Sequence, residues 1–349
     1  MKQILTFSLI LLCCQCSPKL QPITVQTPDK YRFAPEAATP ERGINLGWWQ
    51  SFDDPTLDEL ILIALERNQD LEMAANNIEI SRMNRATVKA AYLPSLSFEV
   101  ETEQTRIEQT TTQYYYVEPT ISWEISLFGA LKNSNRAARA ELLAKEWAYR
   151  ALELSLCSEV ATTYFTLREY QSIYAMVSES YSLRRESAQL IDSMFHYGMS
   201  DEIALSQARS LEMTARSDMS LYERAILQTC LSLDLLLGGN QLSMIENIQP
   251  TRAEHPTQEI PVGLPSSLLE RRPDVIESYY ALESAAANVG VKHAARFPSI
   301  SLTGGAGLLS TSLSGLTSGN PLGWDATATL TQPIFSFKKL KRAEEIAIA

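Results

Sequence analysis

The sequence predicts an α+β fold in which each chain combines one long antiparallel α-helical hairpin with four amphipathic β-strands. Residues 130–237 contain no proline and one glycine, Gly198, which indicates uninterrupted helix on either side of a single turn. The segments 94–128 and 298–335 alternate apolar with polar residues, which is the period of a half-buried strand. An internal duplication relates the two strand pairs to each other.

The hairpin at 130–237 is too long for an ordinary globular core. Its first arm would span roughly 100 Å at ~1.5 Å per residue, and helices of this length occur in coiled coils, membrane spans or helical repeats. Charged residues recur every few positions, which excludes a membrane span. We therefore expect the chain to reverse at 197–201, with Ser200 as the N-cap of the return helix and Asp201 in its first turn.

The duplication aligns residues 65–97 with 269–301 without a gap and with eleven identities. In both copies a helix leads into a strand pair. We predict a first repeat at 56–264, with helix, strand pair, helical hairpin and linker. The second repeat, 265–349, is predicted to contain a helix over 268–295, a strand pair and the start of another helix.

The second repeat is shorter than the first. About a hundred residues follow the first strand pair up to 237, whereas 336–349 are all that follow the second. By the duplication alone, a second helical hairpin of about a hundred residues is expected there. The sequence therefore predicts a C-terminally truncated chain in which that hairpin is missing.

The N-terminal residues predict export and lipid attachment. A charged start precedes an apolar run at 4–12 that is too short to span a bilayer, and cysteines follow it. The segment 1–16 resembles a bacterial lipoprotein signal in which Cys16 is retained and acylated. Cys14 is the alternative, and the mass of the mature N-terminal peptide distinguishes them. Residues 17–55 are rich in proline, which predicts an extended linker.

The four strands, near 95–103, 114–127, 299–309 and 323–333, fit a membrane barrel in length and pattern. Four strands cannot close a barrel, and an open sheet edge is not tolerated in lipid. Because the smallest barrels have about 8 strands, either the sheet is soluble or several chains share one barrel. In the second case apolar residues are expected to face lipid, among them Phe98, Trp123 and Leu302.

Three motifs carry a family resemblance: 264–275 (LPSSLLERRPDV), 287–291 (ANVGV) and 297–302 (FPSISL). The segments 127–129 (LFG) and 197–200 (YGMS) fit further landmarks. Through these residues the chain resembles the lipoprotein branch of the TolC-like outer-membrane efflux proteins. The resemblance implies a homotrimer with a twelve-stranded barrel in outer-membrane lipid and a helical tunnel through the periplasm. It also implies two partners, a periplasmic membrane-fusion adaptor and an inner-membrane RND-type pump.

The function implied by this resemblance is passive export of small molecules through an outer-membrane channel of a tripartite efflux system. The hairpin tip is expected to meet the adaptor, through Gly198, Met199, Ser200 and Asp201. One alternative is a non-conducting, lipid-anchored coiled-coil protein of the periplasm. A degenerate truncated remnant of such a channel is another.

No motif predicts catalysis, a cofactor or a metal centre. Ser336 and Lys339 have the spacing of a Ser-x-x-Lys pair but lack companion motifs. The three histidines are dispersed, and the cysteines do not have the spacing of zinc ligands. A formal net charge of −11 argues against nucleic-acid binding. We therefore expect neither an enzyme nor a nucleic-acid-binding protein.

Overall fold

The computed structural model describes residues 25–28, 47–248, 268–318 and 321–349. Cys14, Cys16 and the predicted signal segment lie outside the described residues, as does most of the predicted linker. The chain divides into two compact units, each of which draws residues from both predicted repeats. The first unit comprises Met1–Thr27, Asn77–Trp147 and Asp274–Ala349, and the second comprises Pro28–Asn76 and Ala148–Pro273.

Helices make up most of the described chain. A short 3-10 helix at Trp48–Phe52 precedes them. The α-helices are α1 (Pro55–Arg67), α2 (Gln69–Ala90), α3 (Ala130–His196), α4 (Glu202–Leu236), α5 (Leu242–Glu246), α6 (Leu268–Arg271), α7 (Pro273–Ala294) and α8 (Lys339–Ile348). The predicted long helical hairpin is confirmed as α3 and α4.

The helix predicted to run from 56 to the region before Pro94 is divided in the structure at Asn68. This residue has an extended backbone (ψ 126°) and ends α1. Its carboxamide oxygen accepts hydrogen bonds from the amides of Asp70 (3.0 Å) and Leu71 (3.2 Å), at the start of α2. Its carboxamide nitrogen donates to the carbonyl of Leu236 at 3.0 Å. Asn68 therefore caps α2 and holds the break against the end of α4.

The turn between α3 and α4 corrects one detail of the prediction. Asp201, rather than Ser200, is the N-cap of α4, because its carboxylate accepts a hydrogen bond from the Ala204 amide at 2.7 Å. Gly198 ends α3 with a φ of +70°. The Gly198 amide donates to Phe195 and the Met199 amide to Met194, which is the paired hydrogen-bond pattern of a Schellman ending.

The core of the second unit lies between α1, α3 and α4. Its fully buried side chains include Leu57, Leu60 and Ile61 of α1, Val160 and Leu167 of α3, and Leu233 of α4. These positions follow the i, i+3, i+4 spacing of an amphipathic helix, so the sequence pattern directs each helix toward the same core.

A buried polar junction fixes the start of α1 against α3 in this unit. One carboxylate oxygen of Asp54 caps α1 by accepting from the amides of Thr56 and Leu57. Its other oxygen accepts from the hydroxyl of Tyr164 and from the guanidinium of Arg168, both at 2.8 Å. Burial, followed by the hydrogen bond to Asp54, raises the pKa of Tyr164 to about 12. The phenol therefore stays protonated and donates at physiological pH.

The strands form one four-stranded antiparallel sheet in the first unit, in the order β1 (Ser95–Ile107), β2 (Thr110–Ile125), β3 (Ser299–Ser310), β4 (Leu322–Thr331). The pairing of β2 with β3 joins the two predicted repeats through backbone hydrogen bonds. Residues 104–113, between the first two predicted strands, continue both strands up to a turn at Glu108, whose φ is +56°. The threonines and Ile107 of this segment suit a strand, so the ladder extends to the turn.

The Asp54 junction gives a prediction for stability. Replacing Asp54 with Ala removes the α1 cap and takes the carboxylate away from the buried guanidinium of Arg168, which should destabilise this unit by about 3–5 kcal/mol. Tyr164→Phe removes one hydrogen bond and should cost about 1 kcal/mol. Hydrogen exchange of the α1 amides measures both effects. Asp53→Asn, at the exposed neighbouring acid, is the matched control, and equal exchange in Asp54→Ala and Asp53→Asn would contradict the assigned role.

Candidate functional site

Successive side chains of a strand point to opposite faces of the sheet, so the register assigns a face to every residue of β1 to β4. One face carries six acidic residues, and no Lys or Arg of the four described strands lies on it. They are Glu99, Glu101, Glu103, Glu118, Glu124 and Asp325. Serine and threonine fill most of the remaining positions. This face is therefore polar and strongly negative.

Glu99 and Asp325 lie beside Glu118 of β2 on this face. Glu99 stands directly opposite Glu118 in the β1–β2 register. Next to it, β3 presents Gly305 and Gly307. A side chain on Gly305 would lie 2.9 Å from the Glu118 carboxylate and 3.0 Å from that of Asp325, and one on Gly307 would overlap the Glu118 backbone and side chain. The two glycines therefore leave the space over β3 into which both carboxylates extend.

The opposite face of the sheet is apolar and exposed. Leu96, Phe98, Val100, Trp324 and Leu330 are all between 66% and 78% exposed. Exposed apolar area of this extent marks a surface that meets lipid or another protein. The apolar stretch covers about ten residues of β2, which matches the length of a membrane-spanning strand.

Trp123 lies near the end of this apolar stretch rather than at its middle. It is 39% exposed, and its indole nitrogen donates to the carbonyl of Tyr92, which precedes β1. Tryptophan with its ring in an apolar surface and its N–H bonded to a polar group is typical of a membrane–water interface. Ile121, two residues away, lies nearer the middle of the stretch.

The sheet has two open edges. β1 and β4 are the outer strands, and among the residues that the structure describes each pairs on one side only. Backbone groups on an open edge need a hydrogen-bonding partner when the sheet is in lipid. The sheet is therefore incomplete as a membrane structure until further strands pair with β1 and β4.

The hairpin tip brings together the four residues singled out in the sequence. Gly198, Met199 and Asp201 are exposed, whereas Ser200, expected to be exposed, is half-buried. Two further apolar side chains beside them, Tyr197 at 83% and Ile203 at 69%, are more exposed than Met199 at 67%. The tip thus presents an apolar surface that the sequence analysis did not include. The run of bulky residues around a single glycine is the signal that could have indicated it.

Other sites considered in the sequence show no catalytic arrangement in the described residues. The Lys339 amide donates to the carbonyl of Ser336, as in a turn before α8. The imidazole Nδ1 of His293 and the guanidinium of Arg296 both form hydrogen bonds with the carboxylate of Glu344. Burial alone would raise the pKa of Glu344, but these two hydrogen bonds outweigh it and lower the pKa. No described group of three or more His, Cys, Asp or Glu side chains could hold a metal ion.

Comparison with known proteins decides the family. The chain matches the family described as outer membrane efflux protein over residues 60–239 and 264–349. The chain belongs to this family. It is 32% identical over 329 residues to the probable efflux pump outer membrane protein TtgC of Pseudomonas putida, covering 92% of this chain and 68% of that protein. It is 30% identical over 335 residues to the cation efflux system protein CusC of Escherichia coli, covering 94% and 72%.

Solved structures agree with this assignment. The outer membrane channel CmeC of Campylobacter jejuni superposes with a TM-score of 0.86 at 25% identity, covering 96% of this chain and 74% of that one. A crystal structure of CusC gives a TM-score of 0.79 at 29% identity, covering 96% of this chain and 76% of that one.

The predicted family and fold class are confirmed. The outer-membrane location and the role as a component of an efflux channel are confirmed as well. The family is one of transport channels and not a class of enzymes. Among the described helices, none is both long and apolar enough to cross a bilayer.

The two faces of the sheet give a prediction for assembly. Ile121→Asp places a charge near the middle of the apolar face and should cost of order 2 kcal/mol per chain, with a smaller effect for Trp123→Asp nearer the interface. Ser122→Asp, on the same strand but on the polar face, is the matched control and should be tolerated. Heat resistance of the oligomer on a denaturing gel is the measurement. A normal oligomer from Ile121→Asp would count against an apolar face in lipid.

Proposed function

We propose that this chain forms a homotrimeric outer-membrane channel that passively conducts small molecules within a tripartite efflux system. The observation that carries the proposal is the sheet, which is apolar on one face, acidic on the other and open at both edges. In this arrangement β4 of one copy pairs with β1 of the next. Three copies then supply twelve strands and leave no edge exposed to lipid.

The acidic face lines the pore in this arrangement, since the apolar face is the one suited to lipid. Rings of carboxylates in a pore attract cations and repel anions, because the low-dielectric wall focuses their field. Glu99, Glu118 and Asp325 lie on three strands of the same chain. A trimer repeats them around the barrel.

The energy for export comes from the inner-membrane pump of the same system, and the channel provides only a passive conduit. Relatives are named for different exported compounds, among them a toluene efflux pump and an antibiotic efflux pump of Pseudomonas putida and a cation efflux system of Escherichia coli. The relatives therefore support a channel role in common and do not single out one compound. We also propose that Cys16 is acylated. Two or more acyl chains on this residue would anchor the protein stably in the membrane.

The hairpin tip is proposed as the docking surface for the periplasmic adaptor. Its support is the exposed apolar surface formed by Tyr197, Met199 and Ile203 beside the turn at Gly198. An exposed apolar patch held by a defined turn suits a protein contact. An ion pair between Asp192 and Arg209 at 2.8 Å joins the two arms behind the tip. Substitutions of exposed tip residues that cap no helix should leave the hairpin intact, because such residues contribute little to its stability.

Conductance in planar bilayers tests the channel. The purified oligomer should give discrete openings, and a KCl gradient should give a reversal potential of the sign for cation selectivity. Glu118→Gln should reduce that potential, whereas Glu118→Asp keeps the charge and should preserve it. An oligomer that associates with the bilayer but never conducts would instead support the non-conducting, lipid-anchored periplasmic protein.

Cross-linking to the adaptor tests the tip. Met199→Gln changes an exposed side chain that caps nothing and should weaken cross-linking several-fold with the oligomer unchanged. Asp201→Asn removes the charge but keeps a side chain that can cap α4. This variant therefore distinguishes the effect of the charge on cross-linking from the effect of losing the N-cap, which costs about 1 kcal/mol. Asp201→Lys removes both and should weaken cross-linking most. If all three variants cross-link as well as the parent, the tip is only a turn.

A further inference from the structure

The four junctions between the sheet and the helices carry a high density of positive charge. β1 and β3 begin, and β2 and β4 end, at the same end of the antiparallel sheet. The adjoining segments 82–94, 126–140, 284–298 and 333–343 contain no Asp or Glu. Their twelve Lys and Arg residues, here called the basic collar, are Arg82, Arg85, Lys89, Lys132, Arg136, Arg139, Lys292, Arg296, Lys338, Lys339, Lys341 and Arg342.

This concentration is not a general property of the chain, whose net charge is −11. At the opposite end of the sheet, Arg106 is the one basic residue near the β1–β2 turn, and Glu103 and Glu108 accompany it. The β3–β4 connection has no charged residue. The positive charge is therefore confined to the helical end of the sheet.

Most of the collar is available to bind an anion. All of it is exposed except Arg85, which is half-buried. Four members pair with acids that lie just beyond the collar: Arg82 with Glu79, Arg136 with Glu283, Arg296 with Glu344 and Lys341 with Glu345. Within the described residues, no acid lies at ion-pair distance from the other eight.

Along the chain, the collar begins just beyond the apolar face of every strand. On each strand, the nearest collar residue lies four to eight residues beyond the last position of the apolar face: Lys89 from Leu96, Lys132 from Ile125, Arg296 from Ile300 and Lys338 from Leu330. The headgroup layer is about 5–8 Å thick on each side of a bilayer. Long Lys and Arg side chains extend toward that layer with their aliphatic stems along apolar surface.

We propose that the basic collar binds the phosphate groups of anionic phospholipids in the leaflet on the helical side of the membrane. This inference rests on the proposed function, which puts the sheet in the bilayer. The bases come from four separate junctions at one end of the sheet and do not converge on a single pocket. A layer of headgroups can meet the bases nearest the sheet at all four junctions, whereas one free phosphate cannot. Clusters of basic residues beside a membrane span favour anionic lipid by this electrostatic attraction.

Lipid retention by the purified full-chain oligomer tests the proposal. The oligomer is exchanged into micelles that contain phosphatidylglycerol or phosphatidylcholine with identical acyl chains, and native mass spectrometry counts the lipids retained. The parent should retain phosphatidylglycerol about tenfold more tightly. The variant Lys89→Gln, Lys132→Gln, Lys338→Gln, Lys339→Gln should lose most of this preference. The control Arg184→Gln, Arg185→Gln, Arg216→Gln, Arg224→Gln removes equal charge from exposed hairpin residues and should keep it.

Two outcomes would overturn the proposal that the basic collar binds anionic phospholipids. One is equal retention of both lipids by the parent. The other is displacement of phosphatidylglycerol by millimolar inorganic phosphate, which would make the collar a general anion surface. Bilayer conductance of the same samples separates this inference from the proposed function. Conducting oligomers without lipid preference refute the collar alone, and non-conducting oligomers that keep the preference refute the channel alone.

Discussion

Backbone pairing between β2 and β3 is the constraint on which the rest of the structure depends. It joins strands that belong to different sequence repeats, so neither repeat forms its own sheet. Because the side-chain period of a strand is two, a slip of one residue would move the acids of β2 to the apolar face. Glu118 and Glu124 share a face with Asp325 in the observed register, and a one-residue slip would separate them. Gly307 leaves room for the backbone and side chain of Glu118 in this register.

The fold separates charge in two different ways. On the strands, alternation directs acids to one face and apolar residues to the other. On the helices, charges are separated along the chain. The helical turns nearest the sheet carry basic residues, and acidic residues lie further from the sheet. A net charge of −11 therefore describes no single surface of this protein. In the proposed arrangement each charged surface meets a different environment: the acidic face the pore, the basic collar the headgroups and the remaining helices water.

The sequence predicted the elements better than the contacts between them. The breaker-free run around Gly198 and the alternation in both strand pairs were sufficient for the hairpin and the strands, because both are local periodicities. The division at Asn68 was missed, since its cap depends partly on a bond to a carbonyl far along the chain. The bond between Asp54 and Arg168 is likewise tertiary. The choice of Asp201 over Ser200 as N-cap was missed because both residue types are good caps.

The glycine at position 307 has a consequence for how such a channel could change over time. A Cβ there would overlap the Cβ and Cα of Glu118 and the carbonyl oxygen of Val117. Two of these three atoms belong to the backbone, so a smaller residue at 118 would not make room for a side chain at 307. Position 307 should therefore stay glycine while residue 118 is free to vary. Changes in the ionic preference of the pore should accordingly arise on β2 and not at this position of β3.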